Sequence, residues 1–164
     1  MVAGNCGYSI APCRPQDHDY LTALFAKVEG MSPNVLRSGL PWDWESFPSF
    51  LDVLDKRLGI NAGMYVGHSA LRRYVMGEAA SERAATADEV GRMQGLVRDA
   101  MRAGAAGFSS SRAPTHVDQF GCPVPSRHAA FDEVQALADA AGEGGAGSIA
   151  FLAESAVQGY NAED

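Results

Sequence analysis

Lysine is nearly missing from this chain. Lys27 and Lys56 stand alone; the rest of the 13 basic residues are arginines, scattered with no stripe. With 20 acidic residues, the formal net charge is -7. A protein that grips a phosphate backbone needs clustered basic groups, so no nucleic acid is expected as a partner. Cysteine is scarce too. Cys6, Cys13 and Cys122 make an odd number with no C-x-x-C spacing. That excludes a disulfide scaffold and fits a reducing, cytoplasmic setting. No apolar run approaches the roughly 18 residues of a membrane span, and no charged leader followed by an apolar stretch opens the chain. The phosphate-binding and dinucleotide-binding glycine loops and the H-E-x-x-H zinc motif are all missing.

What is present is one domain's worth of ordinary globular sequence: 164 residues, 46% hydrophobic, enough for a real core. Met1 to Gly4 reads as the end of a buried strand. Asp17 to Glu29 carries Tyr20, Leu21, Leu24, Phe25 and Val28 at helical spacing, and Gly30 follows as a stop. "MSPNVLRSG" reads as a short helix with Ser32 as cap and Pro33 in its first position. "ESFPSFLDVLDKRLG" places Phe47, Phe50, Leu51, Leu54 and Leu58 on one side, with Gly59 as terminator. "NAGMYVGHS" and "AAGFSSS" are short buried strands. Between them, "TADEVGRMQGLVRDAMRAG" is the strongest helix, with Thr86 and Glu89 as a capping box and Gly104 at its close. Arg112 to His128 is a long, turn-rich loop. "AAFDEVQALADAAGEGG" is a further helix with Val134, Leu137 and Ala138 inward, and "GSIAFLA" is a last strand. "ESAVQGYNAED" hangs beyond these elements.

This alternation is the rhythm of a parallel α/β sheet. Four strands make a small open sheet or half of an eight-stranded barrel, and in either case chemistry belongs at their carboxyl ends. Those ends carry Asn5-Cys6, Gly67-His68-Ser69 and Ser109 to Arg112.

Each of these residues has a structural and a chemical reading. Cys6, flanked by glycines, is either a small buried residue or a thiolate for metal or nucleophilic work, with His68 as its one plausible partner. "GHSAL" partly matches the G-x-S-x-G nucleophile elbow, but Leu71 replaces the last glycine and crowds the turn. His68 and Ser69 otherwise satisfy backbone groups at the strand end. Arg72 and Arg73 either grip a carboxylate or pair with Glu78 or Glu82. Ser109 and its neighbours bind a ligand or cap the loop. His116 and His128 read as solvated loop residues, and Trp42 and Trp44 as packing anchors.

Taken together, "GNCGYSIAP", "WDWESFPSFLDVLD", "VGHSALRRYVMG", "ATADEVGRMQGLVRDAMRAGAAGFSSSR" and "DEVQALADAAG" resemble, in this order, the N-acyl-D-amino-acid deacylase (D-aminoacylase) branch of the amidohydrolase superfamily. The resemblance implies a (β/α)8 barrel with a small β-sandwich, and hydrolysis of a carbon–nitrogen bond, usually an N-acyl amide, at a zinc centre. It implies that Cys6 is a metal ligand at the end of the second barrel strand, with glycines letting the loop carry the sulfur toward the axis. His68, Arg72 and Ser109 are then candidate substrate-lining residues, and the substrate is an N-acyl amino acid or related amide.

The departures matter as much. The family's His-x-His pair belongs to the first strand, and nothing before Val2 supplies it. "GSIAFLA", in the fifth-strand place, holds no histidine. The chain is therefore expected to be an internal piece of the barrel: strands two to five as one partial domain, 1–164, without the β-sandwich. Such a piece is expected to be inactive alone, to hold zinc poorly, and to self-associate through exposed strand edges. The rival expectations are a complete small α/β binding module and a serine hydrolase using Ser69.

Overall fold

The computed structural model describes residues 1–55, 57–145 and 147–155. It contains one parallel sheet in the order β1 (Val2–Ala3), β2 (Gly63–Gly67), β3 (Gly107–Ser111) and β4 (Ser148–Leu152). Sequence order and spatial order coincide, and each strand returns parallel to the last, which is how a (β/α)8 barrel is built. The fold is a partial barrel of this type, one of the two arrangements the strand–helix rhythm allows and the one the family resemblance implies. Most of "ESAVQGYNAED", residues 156–164, lies outside the described residues.

Side chains alternate across each strand, so the register sorts them onto two faces. Val66 pairs with Phe108, and Phe108 with Ile149. This row faces the helices α4 (His68–Met76), α5 (Ala87–Arg102) and α6 (Phe131–Gly142). There Val66, Leu71, Met93, Val97, Phe108 and Leu137 are sealed from water. Burial of each such side chain is worth about 1.5–3 kcal/mol. The opposite row, Tyr65, Gly67, Gly107, Ser109 and Ser111, faces the barrel interior and, apart from Tyr65, carries only glycine and serine.

Local chemistry explains the helix boundaries. Thr86 accepts the Glu89 amide at 3.3 Å, and Glu89 accepts the Thr86 amide at 2.8 Å, so the capping box of α5 forms as its sequence indicates. Helix α3 (Phe47–Leu54) has a capping box between Ser46 and Ser49 instead. It stops at Leu54, so Leu58 is not on its face but exposed beyond it.

Helix α4 has no counterpart in the sequence reading. Gly67 ends β2 and His68 begins α4 with no residue between them. Gly67 is required there because a Cβ would sit 2.7 Å from the Ser9 amide.

The segment 112–128 is not an open loop. Val117 bridges Pro123, and Asp118 accepts the amides of Phe120 and Cys122, both at 2.9 Å. Val124 and Ser126 are fully buried. Helices α1 (His18–Glu29) and α2 (Pro33–Gly39) lead from β1 toward α3. Val124 packs with Tyr8, Cys13, Leu21 and Leu24 in a second apolar cluster. Trp44 is buried and donates its indole N–H to the Ile10 carbonyl at 2.8 Å, while Trp42 stacks on His18; both are packing anchors.

Among the described residues, no helix seals the outer face of β4 as α4 to α6 seal its neighbours. Ile149 and Phe151 are 45% and 41% exposed, whereas their partners Phe108 and Ser110 are wholly buried.

Candidate functional site

The chain leaves β1 through a turn that few residues tolerate. Gly4, Cys6 and Gly7 have φ of +84°, +59° and +80°. Glycine takes that region freely; cysteine does not. Space is short as well: a Cβ on Gly4 would lie 2.7 Å from the Tyr65 carbonyl oxygen. The turn leaves the Cys6 thiol half-buried at the carboxyl end of the sheet. Cys6 lines a cavity of about 410 Å³ with Tyr8, Phe25, Val28, Glu29 and His116. Burial pushes the thiol's pKa up, and the Glu29 carboxylate adds to the shift. Left to the protein groups alone, the sulfur keeps its proton at neutral pH.

Zinc is bound by three or four protein donors. Among the described residues, no group of three or more His, Cys, Asp or Glu side chains is placed to hold a metal. Cys6 fits as one soft donor; the described residues do not make the rest of a site.

The three serines of β3 divide their work by face. Ser109 points inward beneath the Cys6 turn, where its hydroxyl donates to the Gly4 carbonyl and accepts the Gly7 amide at 3.0 Å. Ser110 points toward the helices and meets His68 Nδ1 at 2.8 Å. Ser111 points inward again, meets His116 Nδ1 at 2.8 Å and accepts the Ala113 amide. The His116 ring lies edge-on to Tyr8, with centroids 5.0 Å apart. His116 is thus half-buried beside the cavity rather than solvated. Burial, followed by the Arg127 charge, lowers its pKa.

His68 and Arg72 are brought together, but behind the sheet. Both are fully buried. Glu133 joins them: His68 Nε2 lies 2.9 Å from Oε1, and Arg72 Nη1 lies 2.7 and 2.6 Å from the two carboxylate oxygens. Arg72 also donates to the carbonyls of Ala80 and Arg83. Its partner is therefore neither Glu78 nor Glu82. Arg73 pairs with Asp17 at 2.6 Å and lies over the Tyr20 ring. Burial pushes the His68 pKa down against the pull of Glu133. Burial alone would raise the Glu133 pKa; the hydrogen bond from His68 and the charge and hydrogen bond of Arg72 reverse this and hold it low. A neutral His68 that donates from Nε2 to Glu133 and accepts from Ser110 at Nδ1 satisfies every group.

Glu133 was missed in the sequence, although a signal exists. It lies four residues before Leu137, on the apolar face of α6, where an acid is costly unless paired. Ser69 is 2% exposed and its hydroxyl accepts the Ser126 amide at 3.2 Å. Both nitrogens of His68 are engaged elsewhere, so Ser69 gains no base from it. Cys13 is buried with its pKa raised to about 12, first by burial and then by Asp17.

A partial parallel barrel with a glycine-flanked cysteine at its rim can be compared with known proteins. Residues 7–164 match the family described as "Amidohydrolase family". The chain belongs to the amidohydrolase family. Among curated relatives, a D-aminoacylase of Alcaligenes xylosoxydans xylosoxydans is 36% identical over 112 residues, which is 67% of this chain and 20% of that one. Among solved structures, the N-acyl-D-glutamate deacylase of Bordetella bronchiseptica is 31% identical with a TM-score of 0.62. The match covers 87% of this chain and 25% of that one, which was crystallised with zinc and a phosphonate inhibitor. A D-aminoacylase structure matches at 30% identity and a TM-score of 0.55, over 84% of this chain and 24% of that one. The amidohydrolase chain described here thus spans a fifth to a quarter of the length of these relatives.

Proposed function

We propose that this chain is the strand-two-to-five portion of a zinc-dependent amidohydrolase that hydrolyses an N-acyl amide of an amino acid, in the manner of the D-aminoacylases. The observation that carries the reading is Cys6: a half-exposed thiol on the inner rim of a parallel partial barrel, opening on a cavity. Thiolate is a good zinc donor, and the carboxyl ends of barrel strands are where this fold places chemistry. Zinc in such a site supplies an activated water and a polarised carbonyl.

The chain's own contribution is positional. Cys6 offers one donor, and the β1 turn fixes its direction. Phe25 and Val28 give the cavity an apolar wall, and burial, with the Glu29 carboxylate behind it, keeps the unligated thiol protonated. We assign His68 and Arg72 to holding the helix layer against the sheet through Glu133, and Ser109 to the floor beneath Cys6. With one donor, the chain alone is expected to show no turnover.

A graft tests this reading. The matched segment of the Bordetella deacylase is replaced by this chain, and hydrolysis of N-acyl-D-amino acids is assayed with zinc present. The expected result is hydrolysis that falls at least a hundredfold in Cys6→Ser, with loss of bound zinc. A folded graft whose activity and zinc content are indifferent to Cys6→Ser would overturn it.

A further inference from the structure

We propose that Ser109 is the positioning residue of Cys6, one hydroxyl clamping the chain on both sides of the thiol. This rests on the reading of Cys6 as the chain's working donor. The Ser109 side chain is fully buried on the inner face of β3. Its oxygen accepts the Gly7 N–H and its proton goes to the Gly4 carbonyl. Those two groups bracket Asn5 and Cys6. A hydroxyl has one proton to give and lone pairs to receive, so both capacities are used at the two ends of the turn.

The turn needs such an anchor. Its own internal hydrogen bond, from the Tyr8 amide to the Asn5 carbonyl, is long at 3.2 Å. Cys6 is one of two non-glycine residues with positive φ among the described residues. Strained backbone of this kind persists only where its surroundings over-determine it.

The floor is itself fixed. Gly7 lies against β3 so closely that a Cβ on it would stand 3.2 Å from the Ser110 Cα. Ser110 is tied through His68 to the buried Glu133–Arg72 pair, and Ser111 to His116 and Ala113. Ser109 thus connects a rigid strand to a turn that is not rigid by itself. Alanine at 109 would leave the Gly7 amide and the Gly4 carbonyl without a partner.

The test reads the thiol directly. In a Cys122→Ser background, Cys6 is the accessible cysteine and buried Cys13 is the internal control. Alkylation of Cys6 by iodoacetamide at one fixed pH is followed by mass spectrometry. Ser109→Ala is expected to speed alkylation roughly tenfold, as the released turn opens the half-buried sulfur to reagent. Ser109→Thr, which keeps the hydroxyl, is expected to recover the parent rate. Ser126→Ala removes another fully buried hydroxyl and is expected to leave the rate unchanged. An unchanged rate in folded Ser109→Ala, or an equal increase in Ser126→Ala, would overturn the proposal.

Should Ser109→Ala fail to fold, amide hydrogen exchange of Gly7 in the unaltered chain decides. Strong protection supports the clamp, and exchange at the rate of an open loop rejects it. None of these measurements uses metal or turnover, so failure of the zinc reading in the graft leaves this result distinguishable.

Discussion

Glu133 on α6 holds Arg72 on α4 through both carboxylate oxygens, at 2.7 and 2.6 Å from one guanidinium nitrogen, with both side chains essentially out of water. The same carboxylate takes His68 at 2.9 Å. Breaking a buried pair by removing one partner typically costs about 3–5 kcal/mol, because the other charge stays behind unpaired. Glu133→Ala is therefore expected to lower unfolding free energy by about that amount in urea titration. The double variant Glu133→Leu with Arg72→Leu is expected to recover much of the loss. Near-parent stability in Glu133→Ala would show that the pair does not hold the helix layer.

The pH dependence of stability follows from four shifts of one sign. His68, His116 and His128 all have pKa values lowered from 6.5, with burial as the leading cause in each. Their unfolded forms take up protons first as pH falls, so stability is full above about 6.5 and declines below it. Glu133, held below 4.5 by its partners, adds a further loss as pH drops through that value. Denaturant titrations across this range are expected to show a falling midpoint from mildly acidic pH downward. A flat profile between neutral pH and the carboxylate range would contradict the placement of these histidines.

Gly107 sits where β3 and β4 approach. Its φ is +148°, and a Cβ there would overlap the Ser148 carbonyl. Gly107→Ala must push β4 away or fail to fold, and the expected cost is about 3 kcal/mol or more. Thermal melting followed by circular dichroism measures it; a melting temperature within a degree or two of the parent would be the wrong outcome.

The apolar face of β4 makes a prediction about association. Ile149 and Phe151 lie on the side that α4 to α6 cover elsewhere, and β4 is an edge strand among the described residues. Exposed edges and apolar faces of this kind recruit other chains. Sedimentation velocity is expected to show concentration-dependent self-association, reduced by the double variant Ile149→Lys with Phe151→Lys. A monodisperse monomer at all concentrations would remove this expectation.

The fold was legible where periodicity and capping agree. Helix α5 is the clearest case, since Thr86 and Glu89 announce its start and Met93 and Val97 its inner face. Helix α4 was not legible, because it starts without a loop and carries polar residues, His68, Ser69, Arg72 and Arg73, in its first turns. Three of these are buried by a partner 61 or more residues away in sequence or by another loop, which local pattern cannot report. The segment 112–128 reads as open loop because Asp118, Gly121 and Pro125 are turn formers, yet its turns fold onto Tyr8 and Ser69. At the site, Cys6 stood out through its flanking glycines. Ser109 stood out as a hydroxyl at a strand end, but its direction depends on register, which only the paired strands fix.

The joint between β2 and α4 limits where this protein can diverge. With Gly67 closing one element and His68 opening the next, that rim position has no spare length, and a single inserted residue would rotate His68 away from Glu133. Added length is better absorbed at the exposed tip of the 112–128 segment, around Phe120 and Gly121, than at its buried Val124 and Ser126.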